Sequence, residues 1–142
     1  MTLYNYFIYQ LASAQSTNEI VDGPEGLKAL EIKVSQVGSA SWNVGFGYLH
    51  LRIEEEQNYL VTFYARANKP VNVTVNLQQG REPWNVLSNA VGIELTTDWK
   101  KYEVALLASV PEDDAFLDIT NLGATTATYQ FAAFSLKAFN GW

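Results

Sequence analysis

The sequence predicts an all-β protein, an antiparallel β-sandwich of the jelly-roll kind. Three observations carry this prediction. Short apolar runs alternate with polar residues at period two, they recur about every 8–12 residues, and no stretch has the helical period that a crossover helix needs. Glycine, proline, asparagine, aspartate and glutamate separate the runs, as turns between strands require.

The strands can be followed in order along the chain. Residues 3–14 are rich in β-forming side chains without a clear register, and at least one strand is expected there. From Ala29 onward, residues 29–35 (ALEIKVS) alternate apolar and polar side chains, which is typical of a half-buried strand. Further strands are predicted over residues 44–51, 59–67, 71–78, 91–95, 101–107, 115–121 and 128–137.

Size and composition limit the class of protein. With 142 residues and 15.9 kDa, residues 1–142 are predicted to form one domain that buries a core without a disulfide or a metal. Hydrophobic residues make up 48% and charged residues 17%, which argues against disorder. No apolar run approaches the roughly 18 residues that span a bilayer, and residues 1–15 lack the pattern of a signal peptide.

Charge and rare residues exclude several functions. The net charge of −6 disfavours binding to phosphates, so neither nucleic acid nor a membrane is expected as a partner. The absence of cysteine excludes disulfides, thiol catalysis and thiolate metal sites. The only histidine, His50, excludes centres built from several histidines, and we expect it at the surface or at the edge of a turn.

No group of residues points to catalysis. Glycoside hydrolysis needs two carboxyl groups about 5–10 Å apart across a cleft. The acidic residues instead cluster at 54–56 and 112–114, which the pattern predicts to be solvated turns. Gly45 and Gly47 stand inside a predicted strand and lack the strand–loop–helix context of a phosphate-binding loop. The sequence therefore predicts a protein that is not an enzyme.

The most informative stretch is residues 71–78 (VNVTVNLQ). One face of this strand is apolar, and the other carries Asn72, Thr74, Asn76 and Gln78. A merely solvated strand more often includes lysine and glutamate. Uncharged amides both donate and accept hydrogen bonds, as sugar hydroxyls do, so this face favours binding of a carbohydrate.

Two tryptophans stand in polar surroundings near strand ends. Trp84 lies in the turn 79–85 (QGREPWN), and Trp42 lies within 39–43 (SASWN). A flat ring can cover the apolar face of a sugar while amides meet its hydroxyls, but either tryptophan could equally cap the core. Trp99 alternates into a strand of core residues, and we expect it to pack in the fold.

Several segments together resemble the jelly-roll carbohydrate-binding modules of families four, nine, sixteen and twenty-two. The resemblance runs from about residue 22 to residue 137 and rests on the order and spacing of the segments. These are 22–30 (DGPEGLKAL), 59–67 (YLVTFYARA), 78–84 (QQGREPW), 95–102 (LTTDWKKY) and 113–119 (DDAFLDI), the last leading into Leu122 and Gly123.

The resemblance implies a non-catalytic module that holds a polysaccharide or oligosaccharide from β-glucan, xylan or mannan in a groove on one sheet. It also implies a tether to a glycoside hydrolase and an extracellular location. By position, Trp42 and Trp84 resemble stacking aromatics and Gln78 a groove amide, while Asn76 follows by alternation. Asn121 and Gln10 fall near positions of polar contacts in the family.

Calcium is the cofactor that the family suggests. Members commonly hold a structural calcium through an acidic residue near the N-terminus and an aspartate near the end of the last strand. Residues 129–136 (YQFAAFSL) have alanines where that aspartate is expected, so neither calcium nor another cofactor is expected.

Two other functions remain open from the residues alone. The alternative to sugar binding is a jelly-roll interaction or structural domain, in which Trp42 and Trp84 pack against a neighbouring protein domain. A small jelly-roll lyase or hydrolase would need convergent acid and base residues, which the sequence does not offer.

Overall fold

In a computed structural model of the chain, the described residues form ten β-strands, most of them at the alternating runs of the sequence. The structure describes residues 6–139, without the side chains of residues 49 and 50, so the expectation for the His50 side chain lies outside the described residues. In chain order the strands are β1 (Tyr6–Gln10), β2 (Gln15–Asp22), β3 (Lys28–Gln36), β4 (Val44–Ile53), β5 (Asn58–Ala67), β6 (Val71–Gln79), β7 (Val91–Leu95), β8 (Lys100–Leu107), β9 (Glu112–Thr120) and β10 (Thr128–Phe139). Short 3₁₀ turns occur at Pro24–Gly26, Ser41–Asn43 and Leu122–Ala124.

The strands pair in two five-stranded sheets. The first sheet has the order β1-β4-β9-β6-β7, and the second has the order β2-β3-β10-β5-β8. The pairings are antiparallel throughout. The predicted fold, an all-β antiparallel sandwich of the jelly-roll kind, is confirmed. Within the described residues, no helix is long and apolar enough to cross a membrane.

The core lies between the two sheets. Along β5 the burial alternates residue by residue, as the period of the sequence predicts. Phe46 of the first sheet meets Phe131 of the second with ring centroids 4.9 Å apart, and Phe63 packs near Phe131 at 6.3 Å. The contact of Phe46 with Phe131 joins the two sheets, and all three rings are buried in the core between them.

One strand was not expected. The alternation pattern does not predict β2, whose residues (QSTNEIVD) are mostly polar. This strand is at the edge of its sheet, where β3 is its one partner within residues 6–139, and most of its side chains are exposed. An edge strand with both faces exposed to solvent needs no apolar face. Its sequence therefore shows no alternation of apolar and polar residues. Strand β1 confirms the strand expected within residues 3–14.

Candidate functional site

The outward face of the first sheet carries a polar strip. Cross-strand pairing sets Asp118 of β9 beside Asn76 of β6. The same register sets Phe116 beside Gln78, and Thr120 beside Thr74. We call the six residues on this face the outer strip: Thr74, Asn76, Gln78, Phe116, Asp118 and Thr120. The predicted orientation of residues 71–78 is confirmed, because their apolar side chains belong to the core instead.

Two glycines of β4 let aromatic side chains of β1 lie across the sheet. A Cβ atom on Gly45 would collide with the phenol of Tyr9, and one on Gly47 would collide with the rings of Phe7 and Phe116. The rings of Phe7 and Phe116 meet edge to face with centroids 5.1 Å apart. Phe7 and Tyr9 therefore form an aromatic wall on the β1 side of the outer strip.

The β7 side of the strip is open. Gly92 of β7 pairs with Thr74, and a Cβ atom on Gly92 would meet nothing within 4 Å. The next residue on that face is Glu94, which is exposed and lies opposite Asn72. A ligand can therefore approach Thr74 and Gln78, both half-buried, from the β7 side.

The middle of the strip is buried and polar. Asp118 is 2% exposed and Asn76 is 4% exposed. The Tyr9 hydroxyl donates a hydrogen bond of 2.7 Å to Oδ1 of Asp118. Burial raises the pKa of Asp118 to about 6, although the Tyr9 hydrogen bond opposes this shift. Burial, with the nearby charge of Asp118, also raises the pKa of Tyr9 far above its usual range.

Asn76 contains an acceptor without a donor. Its Oδ1 atom is buried and has no hydrogen-bond partner in the described part of the chain. A buried acceptor left in this way costs about 1–3 kcal/mol, so it is uncommon in a folded protein. The strip thus keeps unused hydrogen-bonding capacity at its centre.

Trp42 lies beyond the Thr74 end of the strip. It is 55% exposed, so it does not cap the core. The hydroxyl of its neighbour Ser41 donates to Oδ1 of Asn121 at 2.8 Å, and Nδ2 of Asn121 donates to Oγ1 of Thr74 at 2.8 Å. Asn121 thus ties the turn that carries Trp42 to the strip, using its side-chain oxygen and one of its two amide N–H donors.

Trp84 lies beyond the opposite end of the strip, in the loop 80–85 that follows β6. It is 50% exposed, so it also does not cap the core. The loop returns to the sheet where Val86 pairs with Gln78. From Thr74 to Gln78 the strand extends about 13 Å, at about 3.3 Å per residue, so the turns that carry the two tryptophans lie at opposite ends of an elongated surface.

Two residues of the sequence analysis lie elsewhere. Gln10 alternates with Tyr9, and its Oε1 accepts hydrogen bonds from the backbone N–H of Ser16 at 2.6 Å and from its hydroxyl at 2.9 Å. The structure does not bring Gln10 to the outer strip. Trp99 is half-buried on the second sheet, where the guanidinium carbon of Arg66 lies 5.0 Å from its ring centroid. It packs at the surface and not in the core.

The acidic cluster at 112–114 corrects a prediction. Glu112 is not in a solvated turn but begins β9, with a side chain that is 7% exposed. Its carboxylate accepts hydrogen bonds from Gln79 at 2.9 Å and from Arg81 at 3.0 Å, and these partners make burial tolerable. Hydrogen bonds, first that from the backbone N–H of Asp114, hold the pKa of Glu112 below its usual value. The cluster at 54–56 is exposed, as predicted.

Sequence reasoning named Asn76 but missed the aromatic wall and the burial of Asn76 and Asp118 at the centre of the strip. Tyr9 and Asp118 are 109 residues apart in the chain, and only the pairing of β1, β4 and β9 brings them together. The glycines at positions 45 and 47 were the available signal. Two glycines on the same face of a strand indicate that other groups approach the backbone closely there.

Other concave or charged places fit a sugar less well. A shallow depression on the second sheet has no aromatic side chain and is lined by Thr17, Asn18, Glu19, Glu31 and Lys33. No group of three or more histidine or acidic side chains that could hold a metal ion occurs among residues 6–139 as described. The expectation that no calcium is bound stays a prediction.

Comparison with known proteins gives the following relatives. A family model described as carbohydrate binding domain (CBM_4_9) matches residues 5–123. A solved CBM4 structure has a TM-score of 0.77 at 20% identity, covering 94% of this chain and 86% of that one. The N-terminal cellulose-binding domain of Cellulomonas fimi β-1,4-glucanase C has a TM-score of 0.68 at 19% identity, covering 99% of this chain and 93% of that one.

A third structure places the same fold inside a longer chain. The arabinose-bound α-L-arabinofuranosidase MgGH51 has a TM-score of 0.73 at 19% identity. The match covers 96% of this chain but 23% of that enzyme. At these identities the solved structures establish the shared fold. None of the curated proteins matches the sequence.

Proposed function

This chain belongs to the carbohydrate-binding domain family, and from that premise we propose that it holds a segment of polysaccharide across the outer strip of the first sheet. The resemblance to jelly-roll carbohydrate-binding modules is confirmed. Such modules are non-catalytic, so the chain is a binding domain and not an enzyme.

A single observation supports the location of the site. Trp42 and Trp84, each at least half exposed, lie in turns beyond the two ends of a strip that offers hydroxyl and amide side chains on an open sheet face. Exposed rings can stack on sugar faces while the hydroxyls around each ring meet Thr74 and Gln78. The aromatic wall closes the β1 side, so a chain would lie along β6 and β9. The proposed contacts are Trp42, Thr74, Asn76, Gln78 and Trp84, with Asn121 positioning the Trp42 turn.

The proposed ligand is a neutral plant-type polysaccharide, such as a β-glucan, a xylan or a mannan. The open side of the strip carries Glu94 and no cation among the residues described on β6, β7 and β9. A chain rich in carboxylates would meet this acid without a compensating charge. Polar groups of both partners give up hydrogen bonds to water when they bind, so the net gain in free energy is small. We expect a binding free energy of about −4 to −7 kcal/mol, which is a dissociation constant of roughly millimolar to ten micromolar.

We further propose that residues 1–142 act as one module tethered to a glycoside hydrolase outside the cell. The likeness to one part of an arabinofuranosidase supports this arrangement. The module would then contribute proximity, by holding the hydrolase near its polysaccharide. Its partner in solution would be the polysaccharide itself.

Affinity gel electrophoresis against xylan, glucomannan, xyloglucan, mixed-linkage glucan, laminarin and hydroxyethyl cellulose tests the proposal. We expect at least one polymer to retard the protein. Trp84→Ala should cost about 2 kcal/mol, close to 30-fold in affinity, because it removes a stacking surface. Trp99→Phe is the matched control, since Trp99 lies on the second sheet.

Three outcomes count against this proposal. Retardation by none of the polymers would favour the alternative, a domain whose tryptophans pack against a neighbouring protein. Retardation that survives Trp84→Ala would remove Trp84 from the site. If Trp99→Phe loses retardation while Trp84→Ala keeps it, the site would lie on the second sheet.

A further inference from the structure

The backbone at Trp84 has a conformation that its side chain disfavours. Its φ angle is +61°, in the left-handed region that bulky residues rarely adopt. Such a conformation persists only where the surrounding structure enforces it, and it is concentrated at binding sites. The contacts made by loop 80–85 must therefore hold Trp84 in this conformation.

The backbone closes the loop at two places. The N–H of Gln79 donates to the carbonyl of Asn85 at 2.8 Å, and the N–H of Trp84 donates to the carbonyl of Arg81 at 2.8 Å. The N–H of Gly80 donates to the carbonyl of Asp114 at 2.8 Å, which fixes the start of the loop to β9. These bonds close the loop but leave its side chains to set its shape.

The Glu112 carboxylate gathers those side chains. Its Oε1 accepts from Nε2 of Gln79 at 2.9 Å and from Nη2 of Arg81 at 3.0 Å. Its Oε2 accepts from the same Arg81 nitrogen at 3.2 Å and from the backbone N–H of Asp114 at 3.1 Å. The amide of Gln79 continues the chain, because its Oε1 accepts the N–H of Asn85 at 3.4 Å, next to Trp84.

Only a carboxylate satisfies all of these donors. Both oxygens of Glu112 accept, and charge-assisted hydrogen bonds are stronger than neutral ones. A glutamine at this position would turn an N–H₂ group toward Arg81 and the N–H of Asp114, or toward the Gln79 amide. Two donors would then face each other in a site that is 7% exposed.

We propose that Glu112 is a positioning residue of the binding site, which holds Trp84 in place through Gln79 and Arg81. This inference rests on the proposed function for its consequence in binding, but its structural part does not. Glu112 lies beneath the loop and is nearly buried, so it acts through Trp84 and not on the sugar.

Nuclear magnetic resonance of the tryptophan indole N–H groups tests the structural part without any ligand. The chain has four tryptophans, and Trp84→Phe identifies the Trp84 signal by its loss. Glu112→Gln should shift or broaden that signal and leave those of Trp42 and Trp99 in place. Glu103→Gln, at an exposed position of β8, is the control for the same loss of charge.

A double-mutant cycle tests the binding part with the polysaccharide that retards the native protein. Glu112→Gln should lower the affinity about threefold to tenfold, because part of the preorganisation of Trp84 is lost. In the Trp84→Ala background the same substitution should have no further effect. Additive losses would mean that Glu112 does not act through Trp84 and would overturn the inference.

Arg81→Ala provides a second test in case Glu112→Gln does not fold. Arg81 is 60% exposed on its side chain, so its removal leaves the core intact. If Glu112→Gln unfolds the protein, the Trp84 signal in Arg81→Ala decides. An unchanged signal overturns the inference, and a shifted one supports it. If no polysaccharide binds the native protein, the proposed function fails while the indole signals still decide whether Glu112 holds Trp84.

Discussion

Asp118 has a carboxyl group that the fold keeps from water, and this makes stability depend on pH. Burial raises its pKa from 3.8 to about 6. The folded state therefore binds a proton more tightly than the unfolded chain does. The stabilisation from this group is fully present below about pH 4 and is lost as the pH rises through about 6, by up to about 3 kcal/mol.

Asp118→Asn should remove this dependence, since an amide does not titrate and still accepts the Tyr9 hydrogen bond. We expect the free energy of unfolding of the variant, relative to the native protein, to rise between pH 4 and pH 6 in denaturant titrations. Asp113→Asn, on the same strand with a side chain that is 91% exposed, is the control. A difference curve for Asp118→Asn as flat as that of Asp113→Asn would contradict this account.

Single residues were predictable where the sequence pattern is local. Trp42 and Trp84 stand among polar neighbours, and both are exposed. Glu112 was mispredicted, because its acidic neighbours indicate solvent while its partner Arg81 is 31 residues away. Burial of a charge depends on such distant partners, and alternation along one strand does not reveal them.

Strand β4 illustrates how one element shapes the candidate site. Its glycines leave room for the aromatic wall, so Gly47→Ala should push a methyl group into the rings of Phe7 and Phe116. We expect a loss of about 1–3 kcal/mol, which is typical of overpacking. Gly92→Ala is the matched control on the same sheet, since its Cβ atom would enter open space. Chemical denaturation of both variants measures the difference.

A double variant tests whether the ring of Phe7 contributes to this loss of stability. Phe7→Ala in the Gly47→Ala background should recover part of the lost stability relative to the sum of the two single substitutions, because the clash with Phe7 is removed while that with Phe116 remains. Equal stability of Gly47→Ala and Gly92→Ala would show that β1 does not lie across β4 as described.

At this scale the sequence predicts elements that bury one face. Strands β5 and β6 each bury one face and fall where they were expected, although Asn76 on the outward face of β6 is also buried. Strand β2 has no buried face and was missed, and the pairing of β1 with β4 cannot be read from either strand alone. Register between distant strands depends on packing, so the residues of the outer strip were predictable on β6 but their neighbours on β1 and β9 were not.

At the scale of the whole molecule, the affinity for a neutral polysaccharide should depend little on the charge of the protein. The protein has a net charge of −6, but the side chains proposed to meet the ligand are amides, hydroxyls and aromatic rings. Binding of a neutral polysaccharide therefore changes few charge–charge contacts. Raising the ionic strength from about 0.01 M to about 0.1 M shortens the Debye length from about 30 Å to about 10 Å. The affinity should change less than twofold over this range, as measured by isothermal titration calorimetry. A loss of tenfold would mean that charged groups contribute to the contact, and it would direct attention to the charged face of the second sheet, where Arg66 and Lys33 lie.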